Sequence, residues 1–500
     1  TAPTITVSPI GGTKFNNANI SYCDFTDADL SGADFSEADL SDSDLSLSLN
    51  LNQCSFDKYT VWADYLSVIL SIFTCTFFIY RDFGLRMIFG YALLFLILVV
   101  NVLRRVYHSR PIQLSTMGFA FLFLCVVVFL NFLRLDSRHD SDGTSFIIAM
   151  LVCCACILLV NPTEQDGKLA LKVLYISAVI MAVYVLFFVL FEDLFWVSIY
   201  KILSSTARDY LAYYVPKGYS VTVGGCTYTN YILYFGMTAC IGYLVSTPKR
   251  DKKCIVALVS AIVFLITILL VGRRGELLSG IFCCALLGFI MCTKKQRRFL
   301  LIYGSIAIVV ILTLVILFLP QLKHVDVFYR YALTIENLLK GKDITSGRTE
   351  LYGIAFKAFL KHPIFGIGLD QFHTLIPQEF LALHGADVED VHNIYLQFLC
   401  EMGIVGAVLI IAPLGYIYYN ICAQFRRLKR QKLESKQFNL AFELCCTSFM
   451  IQSFILFIGI YDPCFQRIIF WCFYGISIIL MIYAMSLENY RPDDVVSRFI

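Results

Sequence analysis

KKQRRFLLIYGSIAIVVILTLVILFLP, residues 294–320, decides what kind of molecule this is. Four cations stand in its first five positions, and twenty-two residues without a charge follow. An uninterrupted apolar run of that length is what a helix needs to cross the hydrocarbon core of a bilayer. The basic cluster at its end carries the orientation, because Lys and Arg concentrate on the cytoplasmic side. The same pattern recurs past Trp62, and predicts spans near 61–80, 85–103, 113–133, 145–161, 169–191, 230–247, 254–271, 276–293, 299–320, 392–420, 440–461 and 467–487. Composition agrees. The chain is 58% hydrophobic and only 15% charged, with a mean hydropathy of +0.72, against roughly 25% charge in a soluble domain. The expected fold class is an all-α polytopic membrane protein of about 12 transmembrane helices, which excludes a disordered, collagenous or disulfide-framework chain.

The basic connectors 248–253, 294–298 and 426–436 alternate with neutral or mixed ones. Placing all three in the cytoplasm puts both termini inside and turns the long connectors 192–229 and 321–391 outward, the second as a large loop between spans 9 and 10. Most of the nineteen cysteines lie in apolar runs such as 153–156, Cys283-Cys284 and Cys445-Cys446, where they pack as small apolar side chains. No pair of CxxC motifs with zinc-like spacing occurs. A bridge between Cys226 and Cys464, both on the outer side in this topology, is left open. No GxxxxGK(S/T) sequence is present, which argues against an ATP-driven pump, and nothing points to nucleic acid.

Residues 1–60 are set apart from the membrane domain, 61–500, by charge: nine acids and two lysines. From Thr13 they fall into a five-residue frame, TKFNN, ANISY, CDFTD, ADLSG, ADFSE, ADLSD and SDLSL, resuming after Ser48 as LNLNQ and CSFDK. This period fits neither helix nor simple strand. It resembles the pentapeptide-repeat family, which implies a short right-handed β-helix. Phe15, Ile20, Phe25, Leu30, Phe35, Leu40 and Leu45 would then stack inside, with Ala28, Ala33 and Ala38 in the narrow positions. The aspartates are read as a solvated face, the alternative being a partner-binding patch.

The 321–391 connector holds the densest chemistry. His324, His362, His373 and His384 lie in it and His392 just past it, and a loop of that length is usually functional. Arg348 to Lys361 reads as an amphipathic helix with Leu351, Ile354, Ala355, Ala358 and Phe359 on one face, lying on the membrane surface, with Ser346 as its cap. Around it stand, in order, Arg274-Gly275, Ser346-Gly347-Arg348, His362-Pro363-Ile364-Phe365-Gly366-Ile367-Gly368, His392-Asn393-Ile394-Tyr395-Leu396 and Glu401-Met402-Gly403-Ile404-Val405-Gly406. As a set these resemble the O-antigen ligase and O-antigen polymerase family, with Asn230 a weaker match.

The resemblance implies an enzyme of the bacterial inner (plasma) membrane, its active site facing the periplasm. The donor would be a glycan on undecaprenyl pyrophosphate and the acceptor a hydroxyl, on the lipid A core for a ligase or on the next glycan for a polymerase, with membrane lipid as the surroundings. Such a reaction needs cations on the pyrophosphate and a base near the acceptor. Arg274, Arg348 and Arg273 supply forked donors suited to phosphate. The competing readings are snorkelling for Arg273 and Arg274 and pairing with Glu350 or Asp343 for Arg348. His392 is the candidate base, with Asp387, Glu389 or Asp390 beside it to orient it or take its place; the bland alternative is a capping or core histidine. Asn393 is a substrate-binding or positioning residue. His362 is read as structural. No metal and no cofactor is called for, although Glu192-Asp193 has the residue types to hold a cation. The rival of another class is a transporter or flippase of an anionic lipid-linked substrate, which would be expected to show inverted repeats with broken spans; no such pairing is evident.

Overall fold

Apolar runs become helices wherever the computed structural model describes them: residues 69–72, 87–107, 116–132, 164–214, 226–247, 252–323, 326–342, 344–345, 347–384, 390–430, 436–462 and 468–489, with seven positions of the N-terminal segment. We number the main helices α1 (Met87–Tyr107), α2 (Thr116–Phe132), α3 (Glu164–Leu190), α4 (Ser205–Tyr214), α5 (Cys226–Ser246), α6 (Lys252–Val271), α7 (Arg274–Met291), α8 (Lys294–Leu317), α9 (Asp326–Leu339), α10 (Arg348–Lys361), α11 (Gln378–His384), α12 (Ile394–Arg430), α13 (Lys436–Ile458) and α14 (Ile468–Asn489). Among the described residues, six helices (α3, α6, α7, α8, α12 and α13) are long and apolar enough to cross a membrane. The spans expected at 61–80 and 145–161 fall outside the described residues, apart from one helical turn at 69–72.

The stretch 294–320 shows how sequence sets a boundary. Thr293 caps α8 in a reciprocal box: its hydroxyl accepts the Gln296 N–H at 3.4 Å, and Gln296 Oε1 accepts the Thr293 N–H at 2.9 Å. None of the apolar window of α8 is buried, whereas 83% of the window in α13 is. α8 is therefore peripheral and α13 central. α13 packs on α5, α7, α12 and α14, and α5 in turn on α3 and α6. At the centre Phe454 of α13 stacks on Tyr234 of α5 with centroids 4.1 Å apart. Polar groups tie helices together inside this core, as expected where lipid offers no hydrophobic drive. Gln452 donates to Ser477 Oγ at 2.5 Å, Tyr395 to the Leu456 carbonyl at 2.6 Å, and Tyr418 shares a bond with Ser453 at 2.9 Å. Cys283, Cys445 and Cys446 are buried in it, as their apolar context indicated. The Cys226 side chain and Cys464 lie outside the described residues.

The loop helix α10 has the bounds expected of it, and Leu351, Ala355 and Ala358 are its buried residues. Its apolar face does not rest on open membrane surface. It packs on Phe372, Ile376, Phe380, Val391 and Cys400, so the loop carries a small core of its own that includes the start of α12. Ser346, the expected cap, lies outside the described residues; Gly347 occupies the cap position at φ 81°, without a side-chain bond.

The largest departure from expectation is in α12. The span at 392–420 reads as one continuous helix, but Gly403 (φ 64°, ψ −171°) breaks it. The 363–368 turn fills the break from outside. The N–H groups of Ile404 and Val405 donate to the carbonyls of Pro363 and Ile364 at 2.8 and 3.2 Å, while those of Ile367 and Gly368 donate to Cys400 and Glu401 at 3.1 and 2.8 Å. A helix break inside a membrane domain must have its backbone groups satisfied, and here the loop satisfies them. Contact is so close that a Cβ on Gly366 would overlap the Glu401 backbone, and one on Gly403 would overlap Ile364.

In the N-terminal segment Lys14 and Asp34 form a parallel bridge four five-residue repeats apart. Phe25, Leu30 and Phe35 are buried there with Ala28 and Ala33. The N–H groups of Ala28 and Ala33 each bond the carbonyl three residues back at 3.0 Å, so the turn repeats with the sequence.

Candidate functional site

Two helix N-termini far apart in sequence come within electrostatic reach of each other. α7 begins at Arg274 and α10 at Arg348, and the reach is between their two guanidinium groups. Arg274 Nη1 donates to Thr334 of α9. Arg273, the residue before α7, bonds Glu276 one turn along at 3.4 Å. Glu276 is 5% exposed and is electrostatically coupled to Arg348 and Asp462 as well. Three arginines and two buried carboxylates therefore share one neighbourhood.

Tyrosines hold the neighbourhood in register. Tyr461, just past α13, donates to the Gly275 carbonyl and shares a hydrogen bond with Ser279. A Cβ on Gly275 would overlap the Tyr461 ring, which gives a packing reason for glycine after Arg274. Burial pushes the Tyr461 hydroxyl well above the usual phenol range, so it stays a donor. Asp462 accepts from Tyr231 of α5 at 3.0 Å. Beside Tyr231 stands Asn230, fully buried, with neither polar side-chain atom bonded among the described residues.

His392 joins this cluster through α10. Tyr352, one turn after Arg348 on the same helix, donates to the His392 carbonyl at 3.3 Å, with the Ile460 carbonyl 3.5 Å away. His392 takes φ 56°, a left-handed backbone that is uncommon outside glycine and usually held by its surroundings. That turn opens α12, whose cap is Asn393: its Oδ1 accepts the Leu396 N–H at 3.0 Å. Asn393 thus has a structural task beside the substrate-binding one expected of it. Ile394 N–H donates to the Gly459 carbonyl at 2.8 Å, which ties the start of α12 to the end of α13.

The remaining expectations fall as follows. His362 ends α10 and accepts the Gly366 N–H at 3.0 Å, a turn role consistent with a structural residue. His373 is exposed in a short 3-10 turn. His324, Asp343, Asp387 and Glu389, together with the His384 side chain, lie outside the described residues. Asp390 is 3.5 Å from Gln397, which also bonds the buried Glu401 at 3.3 Å. Glu192 accepts from Trp196 at 3.2 Å, and among the described residues no three His, Cys, Asp or Glu side chains gather as a metal group. Glu276, Tyr352, Tyr461 and Asp462 were missed in the sequence. The signal available for Glu276 was a carboxylate in a span that also carries two arginines at its start; for the others only the fold supplies one.

Comparison with known proteins bears on both parts of the chain. Residues 238–411 match the family model described as O-antigen ligase, and residues 11–46 match pentapeptide repeats in eight copies. No curated protein matches the chain. The chain is thus similar to the O-antigen ligase family over about a third of its length, and to pentapeptide repeats over its N-terminal segment. The first match spans Arg273, Arg274, Arg348, His392 and Asn393, and stops short of Tyr461 and Asp462. It points to a membrane enzyme that transfers glycans, of the O-antigen ligase or polymerase kind.

Proposed function

We propose that this protein moves a glycan from undecaprenyl pyrophosphate to an acceptor hydroxyl at the outer leaflet of the inner membrane, with inversion at the transferred sugar, and that the acceptor is a lipid A core. The observation that carries the reading is that Arg274 and Arg348 lie within electrostatic reach of one another, each at a helix start. Each stands in the first turn of its helix, where the unpaired N–H groups and the dipole favour an anion. Two guanidinium groups held close repel each other unless negative charge lies between them. Glu276 and Asp462 are two carboxylates against three arginines, and Glu276 also serves Arg273, so a pyrophosphate would complete the balance.

In the proposed reaction the acceptor oxygen attacks the anomeric carbon as the bond to the carrier's phosphate oxygen breaks. The pyrophosphate leaves with the electron pair, stabilised by Arg274 and Arg348. His392 takes the acceptor proton and returns it to water. Arg273 holds Glu276, and Asn393 fixes the start of α12 so that the imidazole keeps its place. In this reading the chain crosses the membrane about twelve times with both termini cytoplasmic, and the repeat segment winds as a β-helix; the parallel bridge one four-repeat coil apart supports the latter.

A transporter reading would use the break at Gly403 as a substrate site, as discontinuous helices often serve. Here the freed backbone groups on both sides of the break are bonded by the 363–368 turn, which leaves them closed to a moving substrate.

The test is transfer by the purified protein from a carrier-linked oligosaccharide, with and without a lipid A core acceptor. A single product that requires the core, and a fall of about 10²–10⁴ in rate for His392→Ala, is the expected result. A ladder made from the donor alone would replace ligase by polymerase. Product formation by His392→Ala at the wild-type rate removes the histidine from the mechanism.

A further inference from the structure

α7 runs from the arginine cluster to the opposite face of the bundle, and its eighteen residues span about 27 Å at 1.5 Å each. At that far end lies a cavity of about 670 Å³. Phe289 of α7, Phe425 of α12 and Phe449 of α13 wall it, and Arg297, Arg426 and Lys429 stand around it. Arg297 donates to the carbonyls of Phe289 and Ile290 at 2.8 and 3.3 Å, with its guanidinium carbon 4.9 Å from the Phe289 ring centre. Lys429 donates to the same Ile290 carbonyl, and lies within electrostatic reach of Arg297. Among the described residues Arg426 bonds its own helix, at the Cys422 carbonyl, 3.1 Å away.

The end of α7 accounts for part of this charge, since a helix C-terminus attracts cations. That end is worth about half a negative charge, and three cations surround it. Among the described residues none of the three pairs with a carboxylate. After the bonds above, both terminal nitrogens of Arg426, one of Arg297 and two protons of Lys429 remain as donors. Aromatic walls below cations, at the end of apolar helices, match one kind of ligand: a phosphate with a hydrocarbon chain attached.

We propose that this cavity binds an anionic phospholipid of the leaflet opposite the arginine cluster. Its phosphate sits on Arg426 and Lys429 with Arg297 beside them, and an acyl chain lies against Phe289, Phe425 and Phe449. The site would tie together the ends of α7 and α12, the start of α8 and the middle of α13. It is independent of the glycan chemistry and would stand if that reading failed.

The experiment is native mass spectrometry of the full chain in neutral detergent, titrated with phosphatidylglycerol, phosphatidylcholine or inorganic phosphate. Phosphatidylglycerol should be retained and phosphatidylcholine lost, and Arg426→Gln with Lys429→Gln should weaken retention about 25-fold, at roughly fivefold per cation. Arg426→Gln alone, at an exposed residue whose side chain hydrogen-bonds its own helix, should weaken it about fivefold and serves if the double variant does not fold. Retention by Arg426→Gln equal to wild type overturns the proposal. So does equal retention of phosphatidylcholine, or displacement of the lipid by millimolar phosphate, which would make this a site for soluble anions.

Discussion

Replacing Gly403 by alanine tests the joint between the loop and the membrane helix. The residue sits at φ 64° and ψ −171°, a region essentially restricted to glycine and costing other residues about 1–3 kcal/mol. Strain is the smaller part. The new Cβ would overlap the Ile364 backbone, which is not the end of a flexible side chain and has no rotamer to escape into. The turn must therefore withdraw, and with it go the bonds from Ile404, Val405, Ile367 and Gly368. Four bonds at roughly 1 kcal/mol each give about 4 kcal/mol, and more if the freed groups find no water. Gly353→Ala is the control. It lies exposed within α10 with open space around it, where alanine is better than glycine by up to about 1 kcal/mol. Buried thiols such as Cys283, Cys400, Cys445 and Cys446 suit a melt followed with a thiol-reactive dye. Gly403→Ala should melt clearly below wild type and Gly353→Ala at or slightly above it. A Gly403→Ala protein that melts with wild type would refute the account of the break.

Two further outcomes follow from neighbouring features. Tyr461→Phe keeps the ring but loses the bonds to Gly275 and Ser279; transfer should fall about fivefold, for roughly 1 kcal/mol, and Gly275→Ala, which displaces the ring, should fall further. Wild-type rates in Gly275→Ala would sever Tyr461 from the site. On α9, Lys323 and Lys340 hold the Glu336 carboxyl down to about 2. A depressed acid stabilises its helix fully above the ordinary glutamate range, near 4.3, and less as pH falls toward 2. Hydrogen exchange of 326–339, corrected for intrinsic rates, should therefore be flat from pH 8 to pH 5.5, with Glu336→Gln less protected throughout; a wild-type loss already under way at pH 7 would contradict the pairing.

What could be read without a structure was what repeats or runs. The membrane helices follow from uninterrupted apolar stretches, and α10 followed from its period and the Pro363 stop, to the residue. Arg274 and His392 stood out at the edges of such stretches and Arg348 at the start of the loop helix, each within a short motif, and the fold brings Arg274 and Arg348 within electrostatic reach. Illegible were relations across distance. The HPIFGIG turn and the EMGIVG segment are separate short motifs on paper, and nothing local says that the glycines of each make room for the backbone of the other. Gly403 stood in the EMGIVG motif, but nothing local marked it as a break in the span. Asp462 and Tyr461 gain their meaning from Tyr231, Gly275 and Ser279, which belong to other helices.

The joint at Gly403 also decides how this protein could be taken apart. A loop held only by its two ends could be exchanged between relatives by cutting at those ends. Here the 363–368 turn supplies carbonyls to residues 404 and 405 and takes them from 400 and 401. A chimera cut at residue 391 would set a foreign turn against a resident break, and would inherit the mismatch at every one of those bonds. The smallest transplantable unit therefore runs past the loop and into the membrane helix, through residue 405.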